Sequence, residues 1–323
     1  MNKKTLGNLL RNLMAKNILF APKKSDELVI GRIEDLKEID WSMNIPKQSF
    51  KHLLIPATEK ILVQKRGKIR EVSAATDQVI FGVNILDLQA LTYLEAIFSQ
   101  DPYFQKRRAQ TIVIGYSKGL PSDYRRYKIV HEKLREDKLE HLRFDIFIEE
   151  LSDRQLKVFS GSEKGQNILE KQGIQNYVNI EYVGPIPEQG PDQDFVIKNR
   201  ELISAAGPQS KVYKAIGDIC LACGKCALAC PLCFCFEHED ISDGDEISRE
   251  RRWSTCFYPE FTKITGGEND MITASEKLYY WYHHKFVRMV DEYKFPGCVG
   301  CGRCYKVCPV GINIRDNLRN LRK

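Results

Sequence analysis

One cysteine spacing occurs twice in the C-terminal third of this chain, and it constrains the fold more than any other feature. In each copy two, two and three residues separate four cysteines, and a proline follows. The copies are Cys220-x2-Cys223-x2-Cys226-x3-Cys230-Pro231 and Cys298-x2-Cys301-x2-Cys304-x3-Cys308-Pro309. This spacing is typical of the bacterial ligand run for a [4Fe–4S] cluster. The chain is therefore expected to hold two [4Fe–4S] clusters.

The ligands can be assigned because the fourth cysteine of each run ligates the other cluster in two-cluster ferredoxins. We predict one cluster on Cys220, Cys223, Cys226 and Cys308, and the second on Cys298, Cys301, Cys304 and Cys230. The intervening Gly224, Gly300 and Gly302 suit the tight turns that such runs need. Structural zinc is the alternative, but zinc sites use Cys-x-x-Cys pairs with a longer spacer, whereas a third cysteine follows here.

The distribution of the 11 cysteines is uneven, since residues 1–219 contain none. A disulfide framework is typical of small secreted domains, so thiolate ligands in a reducing compartment are favoured. The N-terminus lacks the pattern of a secretory signal, and no apolar stretch reaches the ~18 residues of a membrane span. The net charge of +6 does not require nucleic acid as a partner. We expect a cytoplasmic protein that binds no nucleic acid and does not insert into a membrane.

Hydrophobic periodicity predicts an α+β protein. Residues 1–188 read as a mixed α/β domain, with an amphipathic helix over 3–16, a buried strand at 78–83 and a helix over 122–140. The stretch 184–191 is rich in glycine and proline and is the best linker candidate.

Residues 189–323 read as a helical domain whose ferredoxin-like two-cluster core is split by an insert, residues 231–297. The acidic run 237–246 predicts a solvated loop. An apolar stripe predicts a helix over 273–293. His283 and His284 are adjacent, so on a helix they face different directions and a shared ligand role is not expected.

The insert carries three further cysteines, Cys233, Cys235 and Cys256. They are candidates for a third iron–sulfur centre, whose fourth ligand would come from elsewhere, and His238 is the nearest candidate. Alternatively, they are buried small side chains that shield the two clusters, a role that free cysteine fills well.

Four basic residues of this region have two interpretations. Arg251, Arg252, Lys285 and Arg303 could stabilise the anionic clusters or dock an acidic partner, and each could equally lie on a solvated face. No dinucleotide-binding glycine motif follows a predicted strand, and no catalytic motif is recognised in residues 1–219.

The C-terminal strings resemble one known family. They are the two cysteine runs, Cys230-Pro-x-Cys-x-Cys235-Phe, Arg252-Trp-x-x-Cys256 and His284-Lys-Phe286. They resemble the 4Fe–4S dicluster family whose members include an iron–sulfur component of anaerobic sulfite reductase and the sulfhydrogenase beta subunit. Leu19-Phe-Ala-Pro22 and Phe81-Gly-Val with Asp87 are similar to N-terminal strings of that family.

The resemblance implies an electron-transfer subunit of a hetero-oligomeric oxidoreductase. It would pass electrons between a flavin- or NAD(P)-binding subunit, a ferredoxin, and a catalytic hydrogenase or reductase subunit, and would not bind the terminal substrate. In one respect this chain departs from the family. Relatives often carry a cysteine just before the aspartate that matches Asp87, whereas here Leu86 stands there.

Two other functions compete with an electron relay. The chain could be a catalytic subunit whose third centre, at Cys233, Cys235 and Cys256, contacts substrate. It could also be a redox-sensing or nucleic-acid-binding protein with purely structural clusters. Iron counting tests the first alternative, and salt-dependent DNA binding tests the second.

Overall fold

The computed structural model describes residues 1–72, 75–118, 138–152, 155–185, 194–264, 266 and 271–321. The predicted helix over 122–140 and the predicted linker over 184–191 lie mostly outside these residues. None of the described helices is both long enough and apolar enough to cross a membrane.

Helices occur along the whole described chain. In order they are α1 (Lys3–Met14), α2 (Lys51–Leu54), α3 (Ile85–Ile97), α4 (Pro102–Ala109), α5 (Glu163–Lys171), α6 (Asp194–Ala206), α7 (Lys211–Ile219), α8 (Lys225–Ala229), α9 (Ala274–His283), α10 (Met289–Tyr293), α11 (Arg303–Lys306) and α12 (Ile314–Asn320). A π-helical turn, His284–Arg288, joins α9 to α10. Short 3-10 turns form at Leu36–Glu38 and Glu260–Thr262.

The strands belong to two sheets. In chain order they are β1 (Ile18–Lys23), β2 (Val29–Arg32), β3 (Thr58–Lys65), β4 (Lys68–Glu71), β5 (Gln78–Val83), β6 (Thr111–Ser117), β7 (Ile146–Ser152), β8 (Gln155–Ser160), β9 (Val178–Asn179), β10 (Phe236–Asp243) and β11 (Glu246–Trp253). Together with the helices they give the predicted α+β class, which is confirmed.

The chain divides into two compact units. One contains residues 1–50, 75–187 and 299–301, and the other contains residues 51–74, 188–298 and 302–323. The predicted division into domains 1–188 and 189–323 stays a prediction. The segment 51–74, which carries β3 and β4, packs with the cysteine-rich unit although it lies early in the sequence.

The first unit is built on a seven-stranded sheet in the order β2-β1-β5-β6-β7-β8-β9. Strands β1, β5, β6 and β7 are parallel neighbours. Every residue of β5 is buried, as expected for a central parallel strand covered on both faces. Helix α1 buries Leu6, Leu9, Leu10 and Leu13 in the core of this unit, which confirms the predicted amphipathic helix.

The second unit combines a four-stranded antiparallel sheet, in the order β10-β11-β3-β4, with a helical core. Arg251 on β11 and Glu59 on β3 form a buried ion pair at 2.7 Å. The helical core is aromatic, with Tyr213, Tyr282 and Phe286 almost fully buried and several of the cysteines packed against it.

The prediction of a loop over 237–246 is wrong, because these residues form nearly all of β10, the turn of the hairpin and the first residue of β11. Its charged side chains face solvent and pair across the strands, as Arg249 does with Asp240 at 2.7 Å. The two residues at the tip are Gly244 and Asp245, and a Gly-Asp pair between two strands is itself a hairpin signal. The helix predicted over 273–293 is confirmed, but the π-helical turn interrupts its α-helical hydrogen bonding.

Candidate iron–sulfur centres

The first cysteine run begins in the coil between α7 and α8, passes through α8 and ends at Cys230, directly after that helix. Ala222 and Gly224 have positive φ angles of 47° and 70°. A Cβ atom on Gly224 would lie 2.7 Å from Cγ2 of Thr255, so this backbone passes too close to its neighbour for any other residue without a shift. The run therefore turns sharply, as short gaps between cluster ligands require.

The four cysteines assigned to the first cluster line one cavity that is open to solvent; they are Cys220, Cys223, Cys226 and Cys308. The wall between them is largely apolar and includes Phe257 and Leu278. Soft sulfur donors around an apolar cavity fit an iron–sulfur cube. Cys304, which we assign to the other cluster, lines the same cavity, so the ligand sets themselves stay predictions.

Backbone N–H groups point at several of the sulfurs. The Sγ atoms of Cys220, Cys230 and Cys308 each accept a hydrogen bond from an N–H group two or four residues further along, at 3.3 or 3.4 Å. Such hydrogen bonds stabilise thiolates and tune clusters. All the cysteines are described, and none of them forms a disulfide.

The second run has the same local geometry but a more buried setting. Gly300 and Gly302 have φ angles of 71° and 73°, and α11 begins after Gly302. Cys301 is only 8% exposed, whereas Cys223 of the first run is exposed. The convergence of Cys298, Cys301, Cys304 and Cys230 on one cluster stays a prediction.

Across the described ranges, no three His, Cys, Asp or Glu side chains gather closely enough to hold a single metal ion. A [4Fe–4S] cube has each of its four thiolates on a different iron, so its ligands are spread more widely than those of one zinc ion.

The three cysteines of the insert are half-buried in the second unit. Cys233 accepts a hydrogen bond from the indole Nε1 of Trp281 at 3.4 Å. Burial raises the pKa of the Cys256 thiol to about 12, and the neighbouring Cys235 adds to this shift. His238 lies on the exposed strand β10 with its ring 5.3 Å from that of Phe236. A third centre on these cysteines stays a prediction.

The adjacent histidines face different neighbours, as predicted. The His283 ring lies 5.7 Å from Tyr279, and the His284 ring lies 5.9 Å from Phe234. Burial, with help from the nearby Lys285, lowers the pKa of His284 to about 4.

The basic residues of this region have different surroundings. Lys285 is buried, and its Nζ lies 3.2 Å from Sγ of Cys230. Burial opposes its charge, but the neighbouring thiolates, Cys230 first, hold the pKa of Lys285 well above its usual value. Arg303 is fully buried, and Arg252 is partly exposed and pairs with Glu239 at 2.6 Å.

Known proteins match the chain in the same region. The 4Fe-4S dicluster domain family matches residues 219–312, which include both cysteine runs and the insert. Sulfhydrogenase 2 subunit beta of Pyrococcus furiosus is 30% identical over 296 residues, covering 88% of this chain and 84% of that subunit. The chain belongs to the sulfhydrogenase beta-subunit family. No solved structure matches it significantly.

Membership of this family confirms the resemblance drawn from the C-terminal strings. The departure that the resemblance implied concerns Leu86. Leu86 is the second residue of α3 and is 1% exposed. The next residue, Asp87, exchanges two hydrogen bonds with Asn84, which caps the helix.

One cation of this family member was missed by sequence reasoning. Lys51 is buried on α2, where its Nζ donates to the carbonyl of Cys233 at 2.7 Å and lies 4.1 Å from the centre of the Trp253 ring. It lies far from the cysteines in sequence and in no recognisable motif. Only the packing of segment 51–74 with the second unit brings it to the insert.

Proposed function

We propose that this chain is the iron–sulfur electron-transfer subunit of a cytoplasmic, hetero-oligomeric oxidoreductase of the hydrogenase or reductase type. It relays electrons through two [4Fe–4S] clusters between a flavin- or NAD(P)-binding subunit or a ferredoxin and a catalytic subunit. The observation that carries the proposal is the cavity that Cys220, Cys223, Cys226 and Cys308 line together. Cys304 lines it as well, so cysteines of both runs meet at this cavity, which supports crossed ligation.

The chain's own residues hold and tune the clusters. The thiolates supply the soft donors, and backbone N–H groups directed at three of the sulfurs stabilise their negative charge. When bound, each cluster accepts and gives up one electron at a time. The apolar wall near Phe257 and Leu278 limits water around the first cluster, which also affects its potential.

Electrons exchange with a partner at the first cluster. Cys223 is exposed, and the side chains of Leu221 and Val310, which line the same cavity, are 64% and 37% exposed. Apolar side chains exposed around a redox centre allow a partner protein to approach it closely. Crossed ligation would hold the second cluster close to the first and would allow electron transfer between them.

Anaerobic purification of the complex from its native host tests this function. We expect the chain to co-purify with a catalytic subunit and with a flavin- or NAD(P)-binding subunit, and its clusters to be reduced when the electron donor of the complex is added. A chain that purifies without redox partners, and whose clusters no partner reduces, would contradict the relay.

A catalytic role with a third centre is the second candidate. It is favoured by the packing of Cys233 and Cys256 in the same core as the cysteines of both runs. Iron analysis separates the candidates, since two cubes give about eight irons per chain and three give about twelve. The double variant Cys235→Ser/Cys256→Ser should keep about eight irons if the relay has two clusters only.

A further inference from the structure

We propose that Lys285 raises the reduction potential of the second cluster, assigned to Cys230, Cys298, Cys301 and Cys304, above that of the same cluster without this lysine. The proposal rests on the proposed function, because it requires those cysteines to hold a cluster. It adds the residue that decides how readily that cluster accepts its electron.

The position of the ammonium group is the first observation. Nζ of Lys285 lies 3.2 Å from Sγ of Cys230 and donates to the carbonyl of Gly297 at 2.8 Å. Gly297 directly precedes Cys298, so one buried side chain connects the fourth cysteine of the first run with the start of the second run. Only 5% of Lys285 is exposed.

The backbone around Lys285 holds it in this place. The N–H of Gly297 donates to the carbonyl of Lys285 at 2.6 Å, and a Cβ atom on Gly297 would lie 3.0 Å from Cα of Lys285. Lys285 also belongs to the π-helical turn His284–Arg288. Such turns are frequent at functional sites, because they shift the direction in which side chains leave a helix.

Among the residues that the structure describes, no Asp or Glu forms an ion pair with Lys285, whose Nζ contacts Cys230 and Gly297. The thiols of Cys230, Cys233 and Cys298 favour its charge, the ring of Trp281 lies at 5.2 Å, and Lys51 is a second buried cation that interacts with the same sulfurs. A cluster bound by Cys230 and Cys298 would therefore be the negative charge nearest to the ammonium group.

The direction of the effect follows from electrostatics. Reduction adds one negative charge to a cluster, and a buried positive charge with a hydrogen bond to a ligand sulfur stabilises the reduced form more than the oxidised form. The one-electron step breaks no bond. Removal of Lys285 should therefore make the second cluster harder to reduce.

Lys277 provides a matched control on the same segment. It is also a buried lysine, on α9, but its Nζ donates to the carbonyl of Phe257 at 2.9 Å and not to a sulfur. The substitutions Lys285→Met and Lys277→Met each remove one buried ammonium group, whereas Lys285→Gln removes the charge but keeps a donor.

The test is an anaerobic redox titration of the full chain, followed by electron paramagnetic resonance, with iron analysis of each variant. In Lys285→Met we expect one of the two midpoint potentials to fall by at least ~59 mV, which for one electron corresponds to a tenfold change in the reduced-to-oxidised ratio. The same midpoint potential should fall less in Lys285→Gln, and it should stay near the parent value in Lys277→Met.

Three results would overturn the proposal. They are unchanged midpoints in Lys285→Met with its iron intact, an equal shift in Lys277→Met, and loss of iron in both Lys285 variants, which would make this lysine a structural support of the cluster. If the parent chain holds no clusters, the proposed function itself fails. If the parent chain holds its clusters and only the variants behave differently from expectation, the role of Lys285 is refuted and the proposed function stands.

Discussion

The two cysteine runs have the same spacing and the same left-handed glycine turn before a short helix, yet their surroundings differ. In the first run Cys223 is exposed, and the exposed Leu221 lies beside it. In the second run Cys301 is 8% exposed, and the next helix begins with the fully buried Arg303. The spacing determines which metal centre can form, whereas burial and nearby charge determine how each centre exchanges electrons.

The largest expected effect tests whether the runs are crossed. If each fourth cysteine serves the other cluster, Cys308→Ser and Cys223→Ser should abolish the same paramagnetic signal, and Cys230→Ser and Cys298→Ser the other one. Each variant should retain about four of about eight irons. Iron analysis and electron paramagnetic resonance measure this directly.

Uncrossed ligation would pair the variants differently. In that case Cys230→Ser would abolish the same signal as Cys223→Ser, and Cys308→Ser the same signal as Cys298→Ser. Such a result would refute our ligand assignment while leaving two clusters in place.

A smaller effect tests the sharp turn of the first run. Gly224→Ala forces alanine into a left-handed conformation, at about 1–2 kcal/mol, and crowds Thr255, which should add about 1–3 kcal/mol. Gly244→Ala is the matched control, because Gly244 has a φ of 56° but nothing within 4 Å of its missing Cβ atom. Urea unfolding under anaerobic conditions measures the difference in stability.

Equal losses of stability in the two glycine variants would show that close packing against Thr255 is unimportant. The turn would then need glycine only for its backbone angle.

The smallest expected effect concerns the exposed surface around Cys223. Leu221→Ser should slow electron exchange with the partner subunit by up to about tenfold, equivalent to ~1.4 kcal/mol of lost contact, and should leave both midpoint potentials unchanged. Ile272→Ser is the control, since Ile272 is 77% exposed and does not line the cavity. Stopped-flow mixing of reduced partner with oxidised subunit gives the rates.

If both variants slow electron exchange equally, or if neither variant slows it, the surface around Cys223 is not where the partner docks. A shifted midpoint in Leu221→Ser would instead mean that the side chain acts on the cluster and not on docking.

The sequence predicts the local features of this fold well. The leucine stripe of α1 has the helical period and β5 is a short continuous apolar run, so the structures of both follow from burial. The cysteine runs predict iron–sulfur ligation because cluster ligation leaves little freedom in spacing, and the strings of the insert add the resemblance to the family.

Long-range pairing could not be predicted in the same way. Strand β3 pairs with β11, which lies far along the chain, and this pairing brings Lys51 into the second unit. The sequence of β10 is mostly charged and has no alternating apolar face, so its pattern does not predict the strand or the hairpin. The apolar stripe over 273–293 cannot reveal the π-helical turn that holds Lys285.

The central claim is that two [4Fe–4S] clusters sit on the two cysteine runs. Its most direct test is the iron and acid-labile sulfide content of the anaerobically isolated chain, with spin counting after reduction. Two clusters should give about eight irons, about eight sulfides and two signals of one spin each. Zinc in place of iron, or iron without sulfide, would contradict it.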